Sequence, residues 1–165
     1  MQIAMSKTRE KFPLSRKKIL KKTLPAALAW GVIFLIGVMV SAVLLPMIVP
    51  VGVLALYVII LFLTYGYQCW YFATYFYDLT DDYIVIKKGA ITPREITIPY
   101  ERVQDVYVDQ DILDRILGLY DVHLSSATAS SGMSAHIDGV EKDAADGLRK
   151  VLLDTVSAKI SKKKS

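Results

Sequence analysis

Three carboxylates, Asp109, Asp111 and Asp114, and two histidines, His123 and His136, are the side chains here that could hold a metal or move a proton. Calcium is the first chemistry to weigh. An EF-hand loop takes acids or amides at positions one, three and five, Gly at six and Glu at twelve; counted from Asp109, position five is Leu113 and position six is Asp114. The spacing fits a short helix over 112–117 better, with Asp111 as its N-cap, Asp114 at its third position and Gly118 ending it. His123 and His136 would form a metal pair only if a hairpin register set them side by side, and no nearby Cys adds ligands, so both are expected as surface histidines. Cys69 is the single cysteine, which excludes an intramolecular disulfide or a thiolate cage. It reads as a small apolar filler, with reversible acylation as the alternative. No Ser/His/Asp order, Gly-rich phosphate loop or paired carboxylate with a pocket is present, so no catalytic residue, cofactor or metal is expected.

The remaining polar chemistry is basic and segregated. Residues 1–22 carry eight Lys and Arg against Glu10 alone, whereas 78–158 hold 8 bases against 15 acids, a balance of −7. An overall pI of about 9.1 would suit nucleic acid, yet the cations sit where a membrane surface would meet them, so no nucleic-acid partner is expected. Arg16, Lys17, Lys18, Lys21 and Lys22, with Lys87, Lys88 and Arg94 further on, are the candidates for contact with anionic lipid. The N-terminal stretch reads as a solvated topogenic tail or as an interfacial anchor, two readings that do not exclude each other.

What positions these groups is the 55-residue run Thr23–Tyr77, which contains no Asp, Glu, Lys, Arg or His. One helix of that length would reach roughly 80 Å against a hydrocarbon layer of ~30 Å, so the run has to fold back inside a bilayer. Pro46 and Pro50 mark the turn, leaving spans over about 24–45 and 51–71 within a hairpin over 23–74. The basic flank predicts a cytoplasmic N-terminus, and two crossings return the chain to that side of a cell membrane. A signal-peptide core would be shorter than the first arm, which is therefore expected to stay uncleaved. Ala27 and Gly31, then Gly37 and Ser41, fall four apart and open a close approach to another helix, which the second arm itself could supply. Tyr65, Tyr67, Trp70, Tyr71, Phe72, Tyr75, Phe76 and Tyr77 read as an interfacial aromatic belt.

Beyond the hairpin the periodicity becomes two, giving strands over 75–80, 83–88, 95–98, 103–110, 121–126 and 134–137, with a Ser/Ala/Gly loop over 127–133. Asp138 and Glu141 have capping-box spacing for an amphipathic helix to about Ala158, which would cover the apolar sheet face; 159–165 make a basic tail. The fold class expected is a membrane α-helical hairpin plus an α+β domain over 75–158.

Tyr77-Asp78-Leu79-Thr80, Lys88-Gly89-Ala90-Ile91, the run Ile98 to Val106 with Pro99, Arg102 and Gln104, then Gln110, Arg115-Ile116-Leu117-Gly118 and Ser126-Ala127 together resemble the bacterial pleckstrin-homology-like membrane proteins typified by YdbS and YdbT. The resemblance implies a prokaryotic membrane protein whose cytosolic domain is a PH-like antiparallel barrel or sandwich closed by its C-terminal helix, with no known general chemistry. Eukaryotic lipid-binding PH domains concentrate cations at the first hairpin, where this chain has Asp81-Asp82, so a phosphoinositide ligand is not expected. A non-enzymatic module that binds a protein partner or itself is the expected function. Anionic-lipid sensing and service as an accessory subunit of a transporter or membrane enzyme are the alternatives.

Overall fold

The computed structural model describes residues 6–126 and 135–164, with side chains through 161. The loop expected over 127–133 lies outside the described residues. A short helix α1 (Lys7–Lys11) precedes two long ones, α2 (Lys17–Leu44) and α3 (Ile48–Thr74). Both are long and apolar enough to cross a membrane, and they turn their side chains outward: Val43 is 83% exposed and Phe62 77%. Apolar surface of that extent is what lipid-facing helices present. The reversal occurs at 45–47, tighter than the expected 46–50. Pro46 stops α2, whereas Pro50 falls in the first turn of α3, where its absent N–H would have had no intrahelical acceptor. The small residues of α2 face α3: the Tyr57 hydroxyl donates to the Ala27 carbonyl at 3.1 Å and lies against Gly31, and Gly37 packs on Val53.

Six strands follow. β1 (Phe76–Leu79), β2 (Tyr83–Lys88) and β3 (Arg94–Pro99) form one antiparallel sheet; β4 (Val103–Asp109), β5 (Leu119–Ser126) and β6 (His136–Glu141) form a second, with helix α4 (Ile112–Leu117) between β4 and β5. Among the described residues no strand of one sheet pairs with a strand of the other, so of the expected barrel or sandwich the structure shows two three-stranded sheets and no closed barrel. Pro99 and the 3-10 turn Tyr100–Arg102 separate β3 from β4, because Pro removes a ladder donor and the turn carries the chain off the sheet.

The period-two pattern places the core as the sequence implies. Ile84, Ile86, Ile98, Val106, Val122, Leu124 and Ile137 point inward, joined by Tyr75, Tyr77 and Tyr100. The last helix, α5 (Lys142–Lys164), contributes Ala145, Leu148 and Leu152 to the same cluster at helical spacing.

Three expectations change. Tyr75 and Tyr77 are fully buried in the domain core instead of belonging to an interfacial belt. The helix expected from Asp138 starts at Lys142, because β6 runs on to Glu141 and the Asp138 carboxylate is committed to a buried lysine. Residues 6–22 are not a tail: Leu14 is 7% exposed within the core and bridges to Val140, and Ser15 donates its backbone N–H to the Gly139 carbonyl at 2.9 Å.

Leu148→Ala opens a cavity where sheet and helix meet and should cost about 3 kcal/mol, while Leu153→Ala on the exposed side should stay within about 0.5 kcal/mol. Denaturant unfolding of the two variants in one detergent checks the contrast.

Candidate functional site

The chemistry-bearing residues converge where α2 leaves the apolar run. Lys18 and Lys21 lie one helical turn apart, on the face of α2 turned to the domain. Lys18 Nζ is 2.9 Å from Asp138 Oδ1 and 3.6 Å from the centroid of the Tyr75 ring, with 2% of its side chain exposed. Lys88 Nζ approaches the same carboxylate oxygen at 3.9 Å, and Lys22 Nζ reaches Oδ2 at 4.0 Å. The Tyr75 hydroxyl donates to the His136 carbonyl at 3.0 Å, fixing the ring beneath the two ammonium groups. Burial alone would raise the Asp138 carboxyl, but the charges of Lys18 and Lys88 hold it well below the usual carboxylate range. Burial pushes the Lys88 ammonium down to about 8 against the pull of Asp138. Burial, then the Lys88 charge, brings His136 to about 4, so that imidazole is neutral at physiological pH.

Lys21 makes the second anchor. Its Nζ lies 2.6 Å from Asp114 Oδ2, 3.1 Å from Asp121 Oδ2 and 3.2 Å from Asp111 Oδ2. Asp111 and Asp114 form a reciprocal capping box on α4, and Gly118 ends that helix in the left-handed region at φ 68°, as the spacing implied. Asp111 and Asp114, two of the three acids weighed as a calcium loop, are thus a helix cap that receives an ammonium.

The hairpin register does set His123 opposite His136, and a row Tyr107–His123–His136 stacks on the outer face of β4–β6 at centroid separations of 4.9 and 5.1 Å. Asp109, Asp121 and His123 each bring one ligand atom within 4.8 Å of the others. Both Asp121 oxygens already have partners, Lys21 and the Gly139 N–H at 2.8 Å, and His123 Nε2 stands 3.1 Å from Asp109. The ligand atoms of this partly exposed cluster are therefore already engaged by partners within the protein.

A strap over residues 6–15 completes the junction. Ser6 and Thr8 donate to Asp78 Oδ1 at 2.5 and 2.8 Å, Arg9 donates to the Tyr75 carbonyl at 2.6 Å, and the Tyr77 hydroxyl donates to the Phe12 carbonyl. Burial would raise Asp78, but these hydroxyl donors lower it below its usual range. Gly139, at φ 79°, leaves no room for a side chain: a Cβ there would stand 2.8 Å from carbons of Lys18.

Of the residues proposed from sequence for anionic lipid, Lys18 and Lys21 are buried in these ion pairs and Lys88 is nearly so. Lys87 pairs with Glu95 at 2.9 Å and Lys17 stands 3.8 Å from Glu141, both on the surface; Lys22 is half-exposed, and Arg16 and Arg94 are exposed. Among the motif positions, Pro99 opens the 3-10 turn, Gln104 lies at the register shift between Val103 and Asp105, Gly118 supplies the left-handed cap, and Arg102 and Arg115 face solvent. Asp138 was missed as a site residue. Its signal was an acid inside the apolar stretch Ile137 to Val140, masked by the capping-box spacing to Glu141.

Fold and junction together define a small two-sheet α+β domain bound to one end of two helices of membrane-spanning length. The family model described as "Bacterial PH domain" matches residues 23–156, most of the chain and both long helices, and the chain belongs to that family. No curated protein and no solved structure matches it.

Asp138→Asn leaves the Lys18 and Lys88 ammonium groups buried without their counter-charge and should cost about 3–5 kcal/mol, whereas the triple change Lys18→Met, Lys88→Met and Asp138→Leu should recover most of that loss. Thermal melts of the three proteins decide it. Acid supplies an independent readout. His136 binds a proton near pH 4 when folded and near 6.5 when unfolded, so the unfolded chain holds more protons between those values and stability falls as pH drops from 6.5 to 4. Solvent access limits the loss to about 1 kcal/mol, and His136→Gln should flatten that part of the stability–pH curve.

Proposed function

We propose that this chain is a non-catalytic, membrane-anchored interaction module: its helix hairpin spans the cell membrane twice, both termini lie in the cytoplasm, and the PH-like domain meets a protein partner or a second copy of itself at the cytoplasmic face. The observation that carries the reading is the pair of buried lysine anchors. α2 continues without a break from the apolar run into Lys21 and Lys18, and these are tied to Asp111, Asp114, Asp121 and Asp138 of the domain. A domain fastened in this way keeps one orientation to the bilayer and offers one surface to the cytosol. On that surface Tyr107 is 46% exposed at the end of the stacked row with His123 and His136, and rigid aromatic groups with a polar edge are characteristic of protein contacts.

General anionic-lipid sensing by the basic cluster is the weaker reading. Lys18, Lys21 and Lys88 neutralise carboxylates within the protein and Lys22 reaches the buried Asp138, which leaves Arg16, Lys17, Lys87 and Arg94 as the candidate cations with substantial exposure and no well-buried ion-pair partner among the described residues.

A photo-crosslinking amino acid at Tyr107 in native membranes should give one discrete adduct, of twice the chain mass for self-assembly or of another fixed mass for a partner. The same group at Asp81 should not give that product. Identical diffuse labelling at both positions, or saturable turnover of a small molecule by the purified protein, would overturn the proposal.

A further inference from the structure

We propose that the domain also rests directly on the lipid surface through two isoleucines, Ile91 in the β2–β3 turn and Ile112 at the start of α4, which enter the headgroup–acyl boundary of the leaflet from which α2 emerges. This rests on the reading that α2 and α3 cross the bilayer, and it adds a membrane contact outside the hairpin.

The depth of each residue follows from its neighbours. Lys21 lies two residues before the uncharged run, a rise of about 3 Å along α2. Its ammonium holds both acids of the α4 cap, so the N-terminal end of α4 is fixed at the level where α2 enters the apolar layer. The other end of α4 points away from the bilayer: Gly118 lines a cavity of about 670 Å³ with Leu14, Arg16 and Lys17, which come before Lys21 in the chain. Ile112 and Ile116 lie on one side of α4, and Asp114, about 200° from Ile112, occupies the other against Lys21. Ile112, at the bilayer end, is 79% exposed.

Ile91 reaches the same depth by strand register. Phe76 pairs with Lys87, and β1 begins two residues after α3 ends, so a chain that continues past Lys88 runs back alongside the last turn of α3. That turn follows Trp70 and Tyr71, residue types that favour the headgroup level. The bend is tight: Gly89 has φ 110°, and a Cβ there would stand 2.4 Å from the Thr92 carbonyl oxygen. Ile91 at its tip is 70% exposed, while Lys87 and Arg94 at its base are placed to meet headgroup phosphates. Two bare isoleucines at one depth, reached from different sheets, fit an acyl boundary; in water each would leave its apolar area uncovered.

The test uses the full chain in bilayer nanodiscs of phosphatidylcholine and phosphatidylglycerol, with Cys69→Ser and one spin-labelled cysteine in turn at Ile91, Ile112, Val58 and Asp81. Collision with oxygen, which concentrates in lipid, is compared with collision with a water-soluble nickel chelate. Val58 reports the hairpin interior, and Asp81, in the turn at the far end of β1, reports bulk water. Labels at 91 and 112 should be severalfold less accessible to nickel than the label at 81, and closer to 58 in oxygen access. Either label matching 81 while 58 remains in lipid overturns this proposal alone; nickel access at 58 overturns the spanning reading and this proposal with it.

Discussion

A buried ammonium requires a carboxylate, and that requirement organises the molecule. Lys18 stands on α2 five residues before the uncharged run begins at Thr23, and it is withdrawn from water more completely than most leucines on that helix. Withdrawing it without compensation would cost several kcal/mol, so the site exists only with Asp138 in place. Asp138 belongs to β6, which pairs with β5, which pairs with β4. The hairpin and the second sheet therefore fold as partners, and the first sheet joins through Lys88 and the Tyr75 ring at the start of β1.

Such a pair contributes little net stability compared with an apolar replacement, and its value lies in specificity. An apolar patch between α2 and β6 could slide by a turn at small cost; an ammonium seated between one carboxylate and one ring cannot. Gly139 sharpens the constraint, since the backbone there touches the aliphatic stem of Lys18 and any side chain would push α2 away. Lys21, one turn further on, sets the rotation of the helix by reaching three acids at once.

The hairpin, the strand faces and the α4 cap were legible in the sequence because each rests on local rules: the absence of charge over 55 residues, alternation of Ile and Val, and the Asp111–Asp114–Gly118 spacing. The junction was not. Lys18 and Lys21 are indistinguishable by residue type from their neighbours Lys17 and Lys22, and only the direction in which α2 faces the domain separates buried cations from solvated ones. Asp138 satisfied a helix-cap pattern and a strand pattern equally, and a long-range partner settled the choice for the strand. The sequence left barrel and sandwich open for a related reason: alternation says which face is apolar but not which strands pair, and Pro99 with the turn after it splits the ladder in two.

The same contacts change the meaning of the segregated charge. A domain carrying 8 bases and 15 acids beside a stretch with eight bases would ordinarily be repelled by an anionic leaflet while its tail was drawn in. Here Asp114, Asp121 and Asp138 are turned inward onto Lys18 and Lys21, and the exposed Asp111 also reaches Lys21, so the negative charge nearest the long apolar helices is neutralised within the protein. What remains at that level is Arg16, Lys17, Lys22, Lys87 and Arg94, while Asp81 and Asp82 lie in the turn beyond β1, at the end away from α3. The polarity sorted along the chain becomes a polarity along the axis of the long helices, and the lysines that carry out the sorting are the ones removed from the surface.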